Sequence, residues 1–277
     1  MLQNWAQHLA SLDKEDERRA LEWIHQVKVE APTKKPSHTP KELVPLCYHS
    51  YLNIFSETAV SWFPLHKPWD HAIDLKDLFK PKKEWLIPLS PEEQKEVSKF
   101  IDEQLAKGYI HPSKSEQTSP VFFVLKKDGR KWMVQDYRYL NEHTVRNNYP
   151  LPLISQLVDK LKGSQYFTKI DLWWGYNNIR IKEGDEWKAA FVCHRGSYEP
   201  TVMFFSLCNS PAMFQTMMNE IFTDMEDVVV VYIDDITIFT KGSLSEHQAK
   251  VKEASQILHK RTRPPLGAAQ KLTHSQV

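Results

Sequence analysis

The run Val228-Val229-Val230-Val231-Tyr232-Ile233-Asp234-Asp235-Ile236-Thr237-Ile238-Phe239 constrains this chain more than any other stretch. Two segments of strand length, rich in β-branched and aromatic residues, flank a pair of adjacent carboxylates. Asp is disfavoured in strands and neighbouring like charges repel, so the insertion costs stability unless a turn or a cation relieves it. One reading is a hairpin whose turn is acidic. A two-residue hairpin loop, however, usually carries Gly or Asn where φ is positive, and neither is present. The other reading is a cation site, favoured by a third carboxylate, Asp171, at the end of the strand-like run Tyr166-Phe167-Thr168-Lys169-Ile170. Three carboxylates gathered by strands suit a pair of Mg²⁺ ions, which take hard oxygen ligands and keep part of their shell for water and substrate phosphates.

A chain of 277 residues can bury a substantial core. No apolar run approaches the ~20 residues of a membrane span, and the N-terminus does not resemble a secretory signal. Cys47, Cys193 and Cys208 are isolated, so neither a disulfide framework nor a thiolate metal site is indicated. An intracellular setting with no membrane partner is expected. The net charge of +1 excludes a general electrostatic attraction to nucleic acid, so any such binding must come from local patches.

Taken in order, residues 1–40 read as a charged helical tail and a Pro-rich linker, and 41–85 as an aromatic, Pro-rich connection that wraps over another surface. Ser90-Pro91-Glu92-Glu93 is a capping box, and Val97, Phe100, Ile101 and Leu105 follow at helical spacing before Gly108. Two strand-like runs, Val121–Leu125 and Trp132–Gln135, flank a basic Asp-Gly turn carrying Lys126, Lys127, Arg130 and Lys131. Such a tip is either a solvated turn or a clamp that closes over a triphosphate. A short helix follows, with Leu153, Ile154, Leu157, Val158 and Leu161 as its buried side and Gly163 as its stop. Strands are expected over Asn178–Lys182, Lys188–Cys193 and Tyr198–Phe204. Asn209-Ser210-Pro211 opens a helix, Ser245–Lys260 is a charged amphipathic helix, and 261–277 shows no period and reads as a disordered tail. Strands bearing carboxylates, with helices between them and no Gly-rich phosphate loop, indicate an α+β sheet packed by helices on one side.

Four ordered motifs carry a resemblance to reverse transcriptases: Gln135-Asp136-Tyr137-Arg138-Tyr139-Leu140-Asn141, Lys169-Ile170-Asp171-Leu172, Asn209-Ser210-Pro211-Ala212 with Phe214-Gln215, and Tyr232-Ile233-Asp234-Asp235. From about Pro68 to His259 the chain resembles the polyproteins of gypsy-type LTR retrotransposons, particularly fungal ones. The resemblance implies a right-hand polymerase domain over 86–260, with fingers at 86–145 and 180–209, palm at 146–179 and 210–243, and a thumb missing from a truncated copy. It makes Asp171, Asp234 and Asp235 the catalytic triad. These three, with the carbonyl of Leu172, would hold two Mg²⁺ ions, for which Mn²⁺ can substitute. It places Tyr176 under the sugar as a selector of deoxynucleotides, and Phe205, Asn209 and Gln215 against nucleotide and template. It gives Lys126 and Lys127 the phosphates, with Arg130 and Lys131 beside them. The implied partners are an RNA or DNA template with its primer and deoxynucleoside triphosphates; the oligomeric state is left open.

Three positions depart from the family pattern. Trp132 stands where a triphosphate-binding Arg is usual, so a charge-assisted contact is lost unless Arg130 or Lys131 replaces it. Trp173 replaces a usual basic residue, and Ser206 replaces a Gly beside the nucleotide. Two readings follow: an RNA-directed DNA polymerase, or a catalytically defective remnant that keeps the fold and weak nucleic-acid binding. A different two-metal enzyme, such as a nuclease, fits the flanking motifs less well.

Overall fold

The computed structural model describes residues 44–49, 63–125, 131–172, 175–261 and 269–276, with backbone alone at Asp171, Arg261 and 269–276. The helix expected near the N-terminus, the basic tip residues Lys126, Lys127 and Arg130, and Trp173 lie outside the described residues. Helix α1, Pro91–Ala106, begins as the sequence indicates. The Glu93 N–H donates to Ser90 Oγ at 3.3 Å and the Ser90 N–H donates to Glu93 Oε2 at 2.9 Å, which satisfies two otherwise unpaired donors. The chain leaves α1 through Gly108 at φ +71°, a conformation that only glycine adopts without strain. Val97, Ile101 and Gln104 are the residues α1 buries; Leu105, expected inside, is exposed because the helix turns it past the contact.

Two sheets follow. Strands β1 (Ile110–Pro112), β2 (Ser119–Leu125), β3 (Lys131–Gln135), β5 (Phe191–Cys193) and β6 (Gly196–Pro200) make a five-stranded sheet in the order β1-β6-β5-β2-β3. Its β2 and β5 run parallel and its other neighbours antiparallel. Strands β4 (Tyr166–Leu172), β7 (Val229–Tyr232), β8 (Asp235–Thr240) and β9 (Ala269–Gln276) make an antiparallel sheet in the order β7-β8-β4-β9. Helices α2 (Arg138–His143) and α3 (Ile154–Leu161) lie between β3 and β4, α4 (Ser210–Ile221) precedes β7, and α5 (Leu244–Arg261) follows β8.

Four expectations are corrected here. The tail contains a strand, β9, because the edge of β4 offers it a ladder that no periodicity in 261–277 announces. Residues 186–189 form a 3-10 turn rather than the start of a strand. Residues 178–182 meet their neighbours through isolated bridges, Arg180 with Val202 and Ile181 with His71, instead of a continuous strand. Helix α3 buries none of its residues fully, so its apolar side is only half covered.

The second sheet has two unlike faces, as alternation requires. Thr168, Ile170, Ile236, Ile238 and Val231 are buried toward the helices. His247 of α5 is buried there and ties two strands together through the hydroxyls of Thr168 at 2.7 Å and Thr240 at 3.0 Å. The opposite face carries Lys169, Asp235 and Thr237. Apolar side chains from α1, both sheets, α4 and α5 join in one buried cluster, which fixes the two sheets against each other.

Candidate active site

The acidic pair sits at the tightest point of the second sheet. Tyr232 and Asp235 are cross-strand partners, so Ile233 and Asp234 are the two turn residues between β7 and β8. No Gly or Asn occupies the turn, and the left-handed conformation falls on Ile233, at φ +57°. A β-branched residue rarely adopts this conformation, which costs of order 1–3 kcal/mol. Burial and one side chain hold it there. Gln215 of α4 is fully buried; its Oε1 accepts the Ile233 N–H at 2.8 Å and its Nε2 donates to the Val231 carbonyl at 3.1 Å. Gln215 therefore grips the turn from beneath. Its expected contact with nucleotide or template is corrected, because a side chain without exposed surface cannot reach a substrate.

The ladder between β4 and β8 makes Asp171 the direct partner of Asp235. Partner Cα atoms in an antiparallel pair lie about 4.5–5.5 Å apart, so the backbone brings position 171 beside the acidic pair. On the other side of β4 the pairing with β9 shifts register between Asp171 and Leu172, which interrupts the regular ladder there. Burial holds the Asp234 carboxyl above the usual carboxylate range; the negative charge of Asp235 adds to this, and its own backbone N–H and Lys169 oppose it. Lys169 Nζ lies 2.8 Å from Asp235 Oδ1. Among the described side chains no group of three His, Cys, Asp or Glu gathers in one place, Asp171 being described by its backbone. The donor set nonetheless suits a divalent ion. Two crowded carboxylates at one turn, a third acidic position opposite them in the ladder, and a cation drawn onto Asp235 are the marks of a site that attracts positive charge.

Tyr176 packs beside this turn. Its ring lies 5.2 Å from that of Phe214, and burial, with the charge of Asp234 next, pushes its hydroxyl pKa up. Gly175 permits the approach: a Cβ there would stand 2.9 Å from the Phe214 ring. Phe205 lies on the first sheet's side, with its ring 6.2 Å from the Trp132 indole in an edge-on arrangement. Trp132 thus fills the expected Arg position with an aromatic contact.

Lys131 is a second correction. Its ammonium is 2.9 Å from Glu93 Oε1, at the cap of α1. Strand alternation also sets it on the face of β3 opposite Trp132. In this arrangement its charge is directed to α1 and not toward Trp132. Asn209, expected against the nucleotide, is buried; its Oδ1 accepts the Asn147 N–H at 3.0 Å and its Nδ2 donates to the Val145 carbonyl at 2.8 Å. Asn141 works alongside it, donating to the Ser206 carbonyl at 2.9 Å and accepting the Cys208 N–H at 2.8 Å. These two amides lace the loop bearing Phe205 and Ser206 to the end of α2.

Sequence reasoning missed Lys169 and Asn141 as parts of the site. Lys169 was legible by spacing, since two residues along a strand share a face with Asp171's position. The reach of Asn141 depends on tertiary contacts and left no local signal.

Two sheets joined by one core, with an acidic turn between β7 and β8 of the second, define the fingers and palm of a nucleic-acid polymerase fold. Solved structures bear this out. The Prototype Foamy Virus protease-reverse transcriptase superposes with a TM-score of 0.70 at 23% identity, over 99% of this chain and 33% of that one. The foamy viral protease-reverse transcriptase in complex with RNA/DNA hybrid gives 0.67 at 18%, over 98% and 33%. The chain belongs to the reverse transcriptase (RNA-dependent DNA polymerase) family, whose model matches residues 124–263. Among curated proteins, the Transposon Tf2-3 and Tf2-7 polyproteins of Schizosaccharomyces pombe are 45% and 44% identical over 172 residues, 62% of this chain. The chain spans 13% of the length of those relatives.

Proposed function

We propose that this chain carries the nucleotidyl-transfer centre of a retrotransposon reverse transcriptase, adding deoxynucleotides from their triphosphates to a primer 3′-hydroxyl on an RNA or DNA template. The observation that carries the reading is the acidic turn, with Asp235 opposite Asp171 in the ladder and Asp234 presented by a left-handed Ile233. Asp171, Asp234 and Asp235, with the Leu172 carbonyl, would hold two Mg²⁺ ions, or Mn²⁺ in their place. Bound there, such ions lower the pKa of an attacking hydroxyl and neutralise charge on the transferring phosphorus.

The chain's own groups do the rest. Gln215 and the buried Ile233 keep the two carboxylates in position before substrate arrives, so little reorganisation is needed at the moment of reaction. Tyr176, packed on Phe214, presents a fixed ring beside Asp234, where a 2′-hydroxyl would collide with it. Phe205 with Trp132 forms the wall on the opposite side. Lys126, Lys127 and Arg130, which fall between β2 and β3 in the sequence, are assigned to the triphosphate. Template and primer would approach the end of the second sheet that carries Lys169 and Asp235. The foamy viral relatives solved with RNA/DNA hybrid and with dsDNA support nucleic acid as the partner.

A second reading, a fold retained with impaired turnover, has two observations in its favour. Trp132 takes the usual Arg position, and Lys131 is paired with Glu93. Primer extension decides between them. Mg²⁺-dependent extension of a DNA primer on an RNA template is expected, lost in Asp234→Asn and kept in Glu246→Gln, an exposed residue on α5. A folded chain that extends no primer at any concentration leaves the impaired reading standing.

A further inference from the structure

We propose that Lys169 is the resident counter-cation of the acidic turn: its ammonium neutralises Asp235 in the metal-free protein and is displaced by divalent ions, so that it sets how tightly the site takes them. The inference rests on the two-metal reading and adds to it a residue that governs loading.

Lys169 lies on β4 two residues before Asp171 and opposite Thr237 of β8, on the face that also carries Asp235. From there its Nζ reaches diagonally to Asp235 Oδ1 at 2.8 Å, and the charge of Lys169 also bears on Asp234. Both members of the ion pair keep contact with water, at 37% and 45% exposure. An ion pair this exposed contributes little to the stability of the fold, so its effect is felt at the carboxylates. A divalent ion coordinates a carboxylate oxygen at about 2.0–2.1 Å for Mg²⁺, and an ammonium on the same oxygen competes for it. The two cations also repel each other, while the flexible four-carbon stem lets the ammonium swing toward solvent. The paired state offsets the repulsion between Asp234 and Asp235 in the absence of metal; the displaced state frees a positive charge beside the site.

Mn²⁺ binding to the full chain without nucleic acid, followed through the resonance signal of the free ion, tests this independently of turnover. Removing the charge in Lys169→Met is expected to tighten Mn²⁺ binding by about threefold to tenfold, whereas Lys169→Arg stays within about twofold of the parent. Lys169→Gln, which keeps a polar head without charge, is expected to follow Lys169→Met and serves if that variant fails to fold. Unchanged or weaker binding in a folded uncharged variant overturns the proposal, as does equal tightening in Lys169→Arg. A parent chain that binds no Mn²⁺, or whose binding survives Asp234→Asn unaltered, sinks the two-metal reading itself, a result distinct from either.

Discussion

The turn between β7 and β8 and the wall formed by Trp132 and Phe205 face the same substrate space by the proposed reading, yet they are built on opposite principles. At the turn every feature works to hold charge in place. Ile233 accepts a left-handed backbone, Gln215 saturates the two buried main-chain groups around it, and Gly175 lets Phe214 and Tyr176 close in from the side. At the wall charge has been withdrawn. An indole replaces a guanidinium, and the neighbouring Lys131 is turned to the cap of α1. The difference teaches that the acidic turn and the aromatic wall are separable, because one is secured by the Gln215 side chain bonding main-chain groups and the other by contacts between side chains.

The largest effect is expected from Gln215→Ala. It leaves the Ile233 N–H and the Val231 carbonyl buried without partners and should cost about 2–4 kcal/mol, read by chemical denaturation in EDTA. Primer extension should fall with it; a loss under about 1 kcal/mol would mean that something else holds the turn. Gly175→Ala comes next. Its Cβ meets the Phe214 ring and is expected to destabilise by about 1–3 kcal/mol, with Phe214→Leu restoring part of the loss in the double variant. Additive losses in that cycle would break the link between Gly175 and Tyr176's support. The smallest change in energy, and the one that bears on the wall, is Trp132→Arg. A restored charge-assisted bond is expected to lower the Michaelis constant for deoxynucleotides by up to about tenfold. No change in that constant, in a folded variant, would place the triphosphate away from β3.

Much of the framework could be read from residues alone. The capping box of α1, the glycine stops after α1 and α3 and the Pro211 start of α4 follow from short-range chemistry and appear as expected, whereas the β7–β8 turn forms without the Gly or Asn its local chemistry calls for. The roles of particular side chains were harder. Gln215 and Asn209 occur in motifs that suggest substrate contact, but the helix and loop that carry them turn both inward, where a buried amide must satisfy the main chain around it. Strand β9 was unreadable because its partner, β4, lies about a hundred residues earlier in the chain.

What the sequence by itself determined is the chemistry available: three carboxylates at strand ends, a Tyr after a Gly, and an indole where a cation is usual. Local composition suffices for this, since propensity and spacing act over a few residues. Only the tertiary structure decided which of these groups face one another. Register across β4 and β8 sets Asp171 opposite Asp235 and brings Lys169 onto the same carboxylate, and the packing of α4 beneath β7 turns a motif glutamine into the turn's support. The β4–β8 relations join segments more than sixty residues apart and the Gln215 contact joins two successive elements, and the geometry of both is fixed only when the shared core closes.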